Sequence, residues 1–336
     1  MKFLLLFPCF FLLFGFSLAK ADSIITNRKK LTDVTITVEN FDRISYYFNA
    51  VSSRIPQHID RKKEKILQIE REKYPPEYEV AENHFEAKVY NRAIESYERE
   101  AKQQEWTAQH CLYKIGLSYQ KMKNYPKAIQ SYKKLLDSFA ETYYKAEAHF
   151  NMGICYIEGK RPASAVSFLQ KASALYEEIN ESEKALESLY YLGQAADENK
   201  EYPKAIQVYE QLLKKITDVS LKNSVQLSLG HCYWKVKKIS QSKEVFSGLL
   251  KSLPPENKAD MASLYLGLGN CYFHEQNTKE ALFCYLRLIM LYESQDETTR
   301  EAYDKAAYCF ELLKNQNPEY ADRARQLKVM KEQKFK

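Results

Sequence analysis

The feature that most constrains this 336-residue sequence is that it repeats itself. Residues 124–136 read NYPKAIQSYKKLL and residues 201–213 read EYPKAIQVYEQLL, identical at nine of thirteen positions. A looser pattern surrounds them: a small residue, then Ala or Ser 12 positions on, then an aromatic or Leu 16 positions on. It occurs as Ala81/Ala93/Tyr97, Gly116/Ala128/Tyr132, Gly153/Ala165/Leu169, Gly193/Ala205/Tyr209, Gly230/Ser242/Phe246 and Gly269/Ala281/Tyr285. An aromatic three positions after the small residue recurs at Tyr119, Tyr156, Tyr233 and Tyr272. Successive sets begin 35 to 40 residues apart, so spacing within a unit is fixed and spacing between units is not. Helix pairs joined by connections of variable length have this property.

Close packing explains the residue types. Gly or Ala midway along one helix and Ala or Ser early in the next let two backbones approach, and the aromatic is expected to fill the gap between neighbouring units. Pro126 and Pro203 fall at the start of the second helix, where a missing N–H costs little. Nine Gly and ten Pro are few for this length, while 26 Tyr and 17 Phe are many. That balance favours long helices packed through large side chains over a turn-rich β domain. One pair cannot bury its own apolar stripe, so the pairs must stack.

In these residues the chain resembles the tetratricopeptide repeat (TPR) family, whose unit is about 34 residues. The resemblance covers residues 74–292 as six units, with a degenerate seventh and a capping helix over 293–336. It implies an all-α fold, a right-handed α-solenoid of stacked helix hairpins whose first helices line a concave surface. It departs in its longer units and in lacking most of the prolines that close each unit. Carried over by position, three before and four after each small residue, the concave surface should present Tyr78 and Phe85, Tyr113 and Gln120, Phe150 and Ile157, Tyr190 and Asp197, Leu227 and Trp234, and Leu266 and Phe273. A groove so rich in aromatics suits a peptide anchored by apolar side chains. Asn270 alone, without Lys or Arg in adjacent units, does not make a clamp for a peptide's terminal carboxylate.

The N-terminal residues differ in character. Lys2, an apolar run from Phe3 to Leu18 and Ala19-Lys20-Ala21 read as a cleavable signal peptide over residues 1–21. The run is short for a membrane span and Pro8 interrupts it. The mature chain is then expected outside the cytoplasm, periplasmic or secreted, with no transmembrane segment. Residues 22–73 form a leader, expected to pack as a lid on the first unit. Val34, Ile36 and Val38 alternate with Thr35 and Thr37, a short strand signal. Phe41, Ile44, Tyr47, Phe48, Val51 and Ile55 then follow helical spacing between Asn40 and Pro56, and a charged helix is expected from Gln57 to Lys73, giving a short helical leader.

Chemistry-bearing motifs are absent. Cys155, Cys232 and Cys271 each stand two residues after a unit's glycine, where other units carry Asn83, Ser118 and Ala195, so they read as small buried residues. Equivalent positions in adjacent units lie roughly 10 Å apart, beyond disulfide reach. Cys284 and Cys309 stand off this register and could be neighbours. His84, His110, His149, His231 and His274 fall on first helices of different units, with no zinc-site spacing. No nucleophile elbow or phosphate-cradling loop occurs. The net charge of +6, about +4 without Lys2 and Lys20, is too small and dispersed for nucleic acid. The expectation is a non-enzymatic scaffold or chaperone-like binder of a protein or peptide, without cofactor or metal. The alternative is a structural, self-assembling envelope component whose groove holds no ligand.

Overall fold

The computed structural model describes residues 21–50, 55–71, 73–102 and 105–335. The expected signal peptide, Ala21 apart, lies outside the described residues, as does Val51. From residue 76 onward the chain is a row of seven helix hairpins. They are α1 (Pro76–Glu86) with α2 (Tyr90–Glu100), α3 (Glu105–Lys121) with α4 (Tyr125–Ser138), and α5 (Lys145–Glu158) with α6 (Pro162–Glu178). Next come α7 (Ser182–Glu198) with α8 (Tyr202–Leu213), α9 (Val219–Lys235) with α10 (Ile239–Ser252), α11 (Lys258–His274) with α12 (Thr278–Leu291), and α13 (Glu297–Leu313) with α14 (Glu319–Lys334).

The repeat residues make the contacts that join each hairpin. A methyl group added to Gly116 would lie 2.5 Å from the Tyr132 ring, and one on Gly269 would lie 2.6 Å from Tyr285. Gly153 meets Leu169, Gly193 meets Tyr209 and Gly230 meets Phe246 with equally little clearance. The large side chain of the second helix therefore sits on the glycine of its own hairpin. That corrects the expectation that it only fills space between units, although Phe246 also covers Gly267 of the next hairpin. Tyr97, Tyr132, Tyr209, Tyr285 and Phe246 are wholly buried as a result.

The turn inside each of the first six hairpins has one residue in the left-handed region: Lys88, Lys123, Lys160, Lys200, Lys237 and Gln276. The next residue then donates its N–H back into the first helix, as Asn124 N does to Tyr119 O (2.8 Å) and Glu201 N to Ala196 O (2.8 Å). These helix-ending hydrogen bonds satisfy carbonyls that would otherwise be orphaned, and they fix the hairpin geometry. First helices of successive hairpins touch each other (α1 with α3, α5 with α7, α7 with α9, α9 with α11, α11 with α13), whereas second helices make no comparable contact. The first helices thus form the inner side of the curve.

Residues 22–70 correct the expected helical leader. They form β1 (Asp22–Thr26), β2 (Lys30–Glu39), β3 (Arg43–Phe48), β4 (Gln57–Asp60) and β5 (Ile66–Glu70), an antiparallel sheet ordered β4-β3-β2-β1-β5. The helix read from Phe41 to Ile55 gives way to β3, because Ile44, Tyr46, Tyr47 and Phe48 are β-branched or aromatic residues with strand preference. The charged helix read over 57–73 gives way to two strands whose Ile59 and Ile66 turn inward. The edges β4 and β5 are only a few residues apart in sequence, and Lys63 N and Glu64 N both bond Asp60 O in the turn between them. A flat sheet would hold those edges about 19 Å apart, so this one curls, helped by register shifts in β1 and β2. Ile24, Val34, Ile36, Ile44, Tyr46, Ile59 and Ile66 fill the inside. The shift after Ile36 leaves Val38 exposed and turns Glu39 inward, against the simple alternation expected there.

The sheet docks on α3 and on the third and fourth hairpins. Phe41 inserts among Ala146, Ala172, Leu175, Tyr176, Ile179 and Ala185. Phe41 N donates to Glu141 O (3.0 Å), and Asn40 forms a β-bridge with Thr142. The Arg61 guanidinium lies 4.1 Å over the Tyr143 ring and donates to Tyr143 O (3.1 Å) and Phe41 O (3.0 Å). Replacing a buried Phe by Ala typically costs about 3 kcal/mol or more. Phe41→Ala is therefore expected to speed tryptic release of the sheet while leaving the helical circular dichroism signal intact. Unchanged cleavage would show that polar contacts alone hold it.

Candidate functional site

The docked sheet meets the helices near the starts of α3, α5 and α7 and along the end of α6. On α3 the contact is a polar network built from Glu39. The Arg71 guanidinium bonds the Glu39 carboxylate and lies 3.3 Å from Asp22 Oδ2, while Gln109 Nε2 donates to Glu39 O (3.2 Å). His110 Nε2 is 3.5 Å from Glu39 Oε2, and its Nδ1 is 2.8 Å from the Tyr144 hydroxyl. Burial pushes the His110 pKa down, against the opposing pull of Glu39. On the outer edge of this contact, Lys62 pairs with Glu178 (2.6 Å) and Lys65 with Glu181 (3.2 Å).

The sequence-derived groove residues separate into groups. Tyr78, Leu227 and Leu266 are buried between helices and act as packing, Tyr78 stacked on Tyr74 and edge-on to Tyr97. Tyr113 is covered by Tyr144, stacked at 4.1 Å and 8°, and Gln120 accepts from the Tyr132 hydroxyl (3.0 Å). Phe150 contacts Tyr176 and Tyr191 edge-on beside the Phe41 cluster, and Ile157 packs between the third and fourth hairpins. Phe85 lies edge-on to Tyr90 under Lys114.

Beyond the sheet, Tyr190, Trp234 and Phe273 stay partly exposed on α7, α9 and α11. Tyr191 lies beside Tyr190 at 5.7 Å between ring centroids, and Tyr308, half exposed on α13, beside Phe273 at 5.8 Å. Lys235 and Lys237 stand over Trp234. Two residues that matter here, Tyr144 and Tyr308, lie off the repeat register. Tyr144 occupies the connection between α4 and α5, and its signal was only the run of aromatics there.

Polar groups on this stretch are held neutral or pay for burial. His231 bonds Ser263 Oγ (2.8 Å), and burial pushes its pKa down to about 4. Burial raises the Asp197 carboxyl, partly offset by a hydrogen bond with Cys232. All six cysteines of the described residues are free and buried, Cys284 and Cys309 included. Burial pushes the Cys111, Cys155 and Cys284 thiols up to about 12 and Cys309 to about 11. A thiol so placed is not a nucleophile at neutral pH. No group of three His, Cys, Asp or Glu among the described residues could hold a metal, and no described helix is long and apolar enough to cross a membrane.

Models of the tetratricopeptide repeat match residues 107–178 and 144–215, and another matches 262–295. The chain carries tetratricopeptide repeats over these residues. The C-terminal part of a TPR repeat-containing protein from Cytophaga hutchinsonii superposes with a TM-score of 0.57 at 20% identity, over 74% of this chain and 93% of that one. The apo form of RapI gives 0.56 at 15% identity, over 73% and 80%. At these identities the likeness is one of fold. None of the curated proteins compared matches the chain. In this TPR protein the raised Asp197 pKa favours folding at low pH: its contribution is full below the ordinary carboxylate range of about 4 and is lost as pH rises through the raised value. Asp197→Asn is therefore expected to unfold at higher urea than the native chain at pH 7, with the difference vanishing near pH 3. Equal stability at pH 7 would mean that the carboxylate is adequately solvated.

Proposed function

We propose that this protein is a non-enzymatic scaffold acting outside the cytoplasm, and that it holds a protein partner on the inner surface of its fourth to seventh hairpins. Tetratricopeptide repeat proteins are generally non-catalytic protein–protein interaction scaffolds. The observation that carries the finer reading is the asymmetry of the array. The sheet meets the starts of α3, α5 and α7 and the end of α6, while Tyr190, Tyr191, Trp234, Phe273 and Tyr308 remain accessible further along. Aromatic side chains give large contact area at low conformational cost and commonly dominate binding energy. The neutral His231 and raised thiols supply hydrogen bonds and packing but no activated nucleophile, which supports binding over catalysis.

Export rests on the leader composition: a positive start, an apolar run and Ala19-Lys20-Ala21 before Asp22. Asp22 opens the first strand and its carboxylate accepts from Ile36 N (2.9 Å), so cleavage after Ala21 would leave the sheet whole. N-terminal sequencing of the chain from its native cells is expected to begin at Asp22.

Affinity capture with the native chain, Trp234→Ala and Phe273→Ala tests the groove. Both variants are expected to lose the same partner by at least about tenfold, the usual scale of a truncated aromatic anchor. If both retain the full bound set, the inner surface is not where the partner sits.

A further inference from the structure

The outer surface carries a second feature, on the side opposite the aromatic groove. Between α2 and α4 runs a groove of about 610 Å³ whose floor is the outward face of α3: Ala108, Leu112, Ile115 and Tyr119. Between α4 and α6 the outward face of α5 floors two further hollows, of about 550 and 490 Å³, with Ile129 and Phe168 on their walls. The two grooves share the ridge of α4.

The rims are cationic. Lys102, Lys127 and Lys134 line the first groove, and Lys133, Arg161 and Lys171 the second. Three carboxylates face them: Glu98, Asp137 and Glu141, of which Glu141 is already paired with Lys145 at 2.8 Å. None of the six cations has an ion pair among the described residues. Some lysines elsewhere on the solenoid are matched, as in Lys184–Glu147 and Lys243–Glu275, and others such as Lys251 stand alone among the described residues. What sets this face apart is that the six cations line two adjoining hollows. Unmatched like charges around a hollow repel one another and raise the potential over it, which a bound anionic chain would relieve. An apolar floor under a cationic rim fits a segment with apolar side chains down and carboxylates at its flanks. A membrane surface would meet the lysines of the ridge but not Leu112, Ile115 or Tyr119 at the groove floor.

We infer that the outer face of α2, α4 and α6 is a docking surface for an acidic amphipathic segment of another protein, separate from the inner groove. The charge supplies orientation and association rate, and the floor supplies specificity.

Fluorescence anisotropy with two labelled synthetic peptides of equal length tests this, one alternating Glu and Leu at helical spacing and one of Glu alone. The native chain is expected to bind the Glu/Leu peptide at least about tenfold more tightly than the Glu peptide, with affinity falling as salt rises. The triple variant Lys127→Glu, Lys133→Glu, Lys134→Glu is expected to lose that binding by at least about tenfold, and the milder pair Lys133→Gln, Lys134→Gln to lose part of it. Lys251→Glu, on the exposed side of α10, is the control and should bind as the native chain does. Thermal melts confirm that each variant is folded. Absence of binding by the native chain, equal binding of both peptides, undiminished binding by the triple variant, or co-sedimentation with phosphatidylglycerol vesicles that outcompetes the peptide would each overturn the inference.

Discussion

Everything in this molecule depends on a ring resting on a glycine. At Gly116, Gly193, Gly230 and Gly269 the first helix offers no Cβ, and the aromatic side chain of the second helix occupies the space a methyl would need. The contact draws the two helices of a hairpin together, and the left-handed residue in the turn sets the angle at which they meet. Hairpins so shaped can stack only with first helices inside and second helices outside. Both surfaces proposed for binding follow from that geometry. The inner face is the row of first helices, and the outer grooves are the gaps between second helices through which the backs of α3 and α5 show.

The N-terminal sheet breaks the translational symmetry of this array. It brings an apolar anchor, Phe41, and a buried carboxylate, Glu39, to the connection between α4 and α5, which carries a β-bridge to Asn40. A buried carboxylate removed from water is costly unless it is paired. Here Arg71 pairs with it from the sheet, while Gln109 and His110 approach from α3. The polar network thus fixes the sheet against α3, and Phe41 inserts an apolar side chain between α5, α6 and α7. The repeat array thereby carries the sheet at its second to fourth hairpins, while Trp234, Phe273 and Tyr308 stay partly exposed beyond it.

The solenoid was legible in the sequence because a small residue and a large apolar one 16 residues apart encode one packing contact, and six copies leave no second interpretation. The sheet was not. Phe41, Ile44, Tyr47 and Phe48 satisfy helical spacing by coincidence of composition, and β strands gain much of their definition from partners far along the chain, as β1 does from β5. Of the groove, the positions were legible but their exposure was not. Leu227 and Leu266 occupy the same register as Tyr190 and yet are buried, because neighbouring hairpins pack more tightly around α9 and α11. Tyr144 and Tyr308, which decide what is covered and what is open, belong to no repeat position and carried no periodic signal.

The most direct test of the ring-on-glycine contact is hydrogen exchange read by mass spectrometry on Gly193→Ala beside the native chain. The added methyl must displace Tyr209, so exchange should rise in α7 and α8, less in α6 and α9, and not at all in α1 or α14. Exchange unchanged at α7 and α8, or raised evenly along the whole array, would contradict the view that the second to sixth hairpins are each closed by their own glycine and pass a disturbance only to their neighbours.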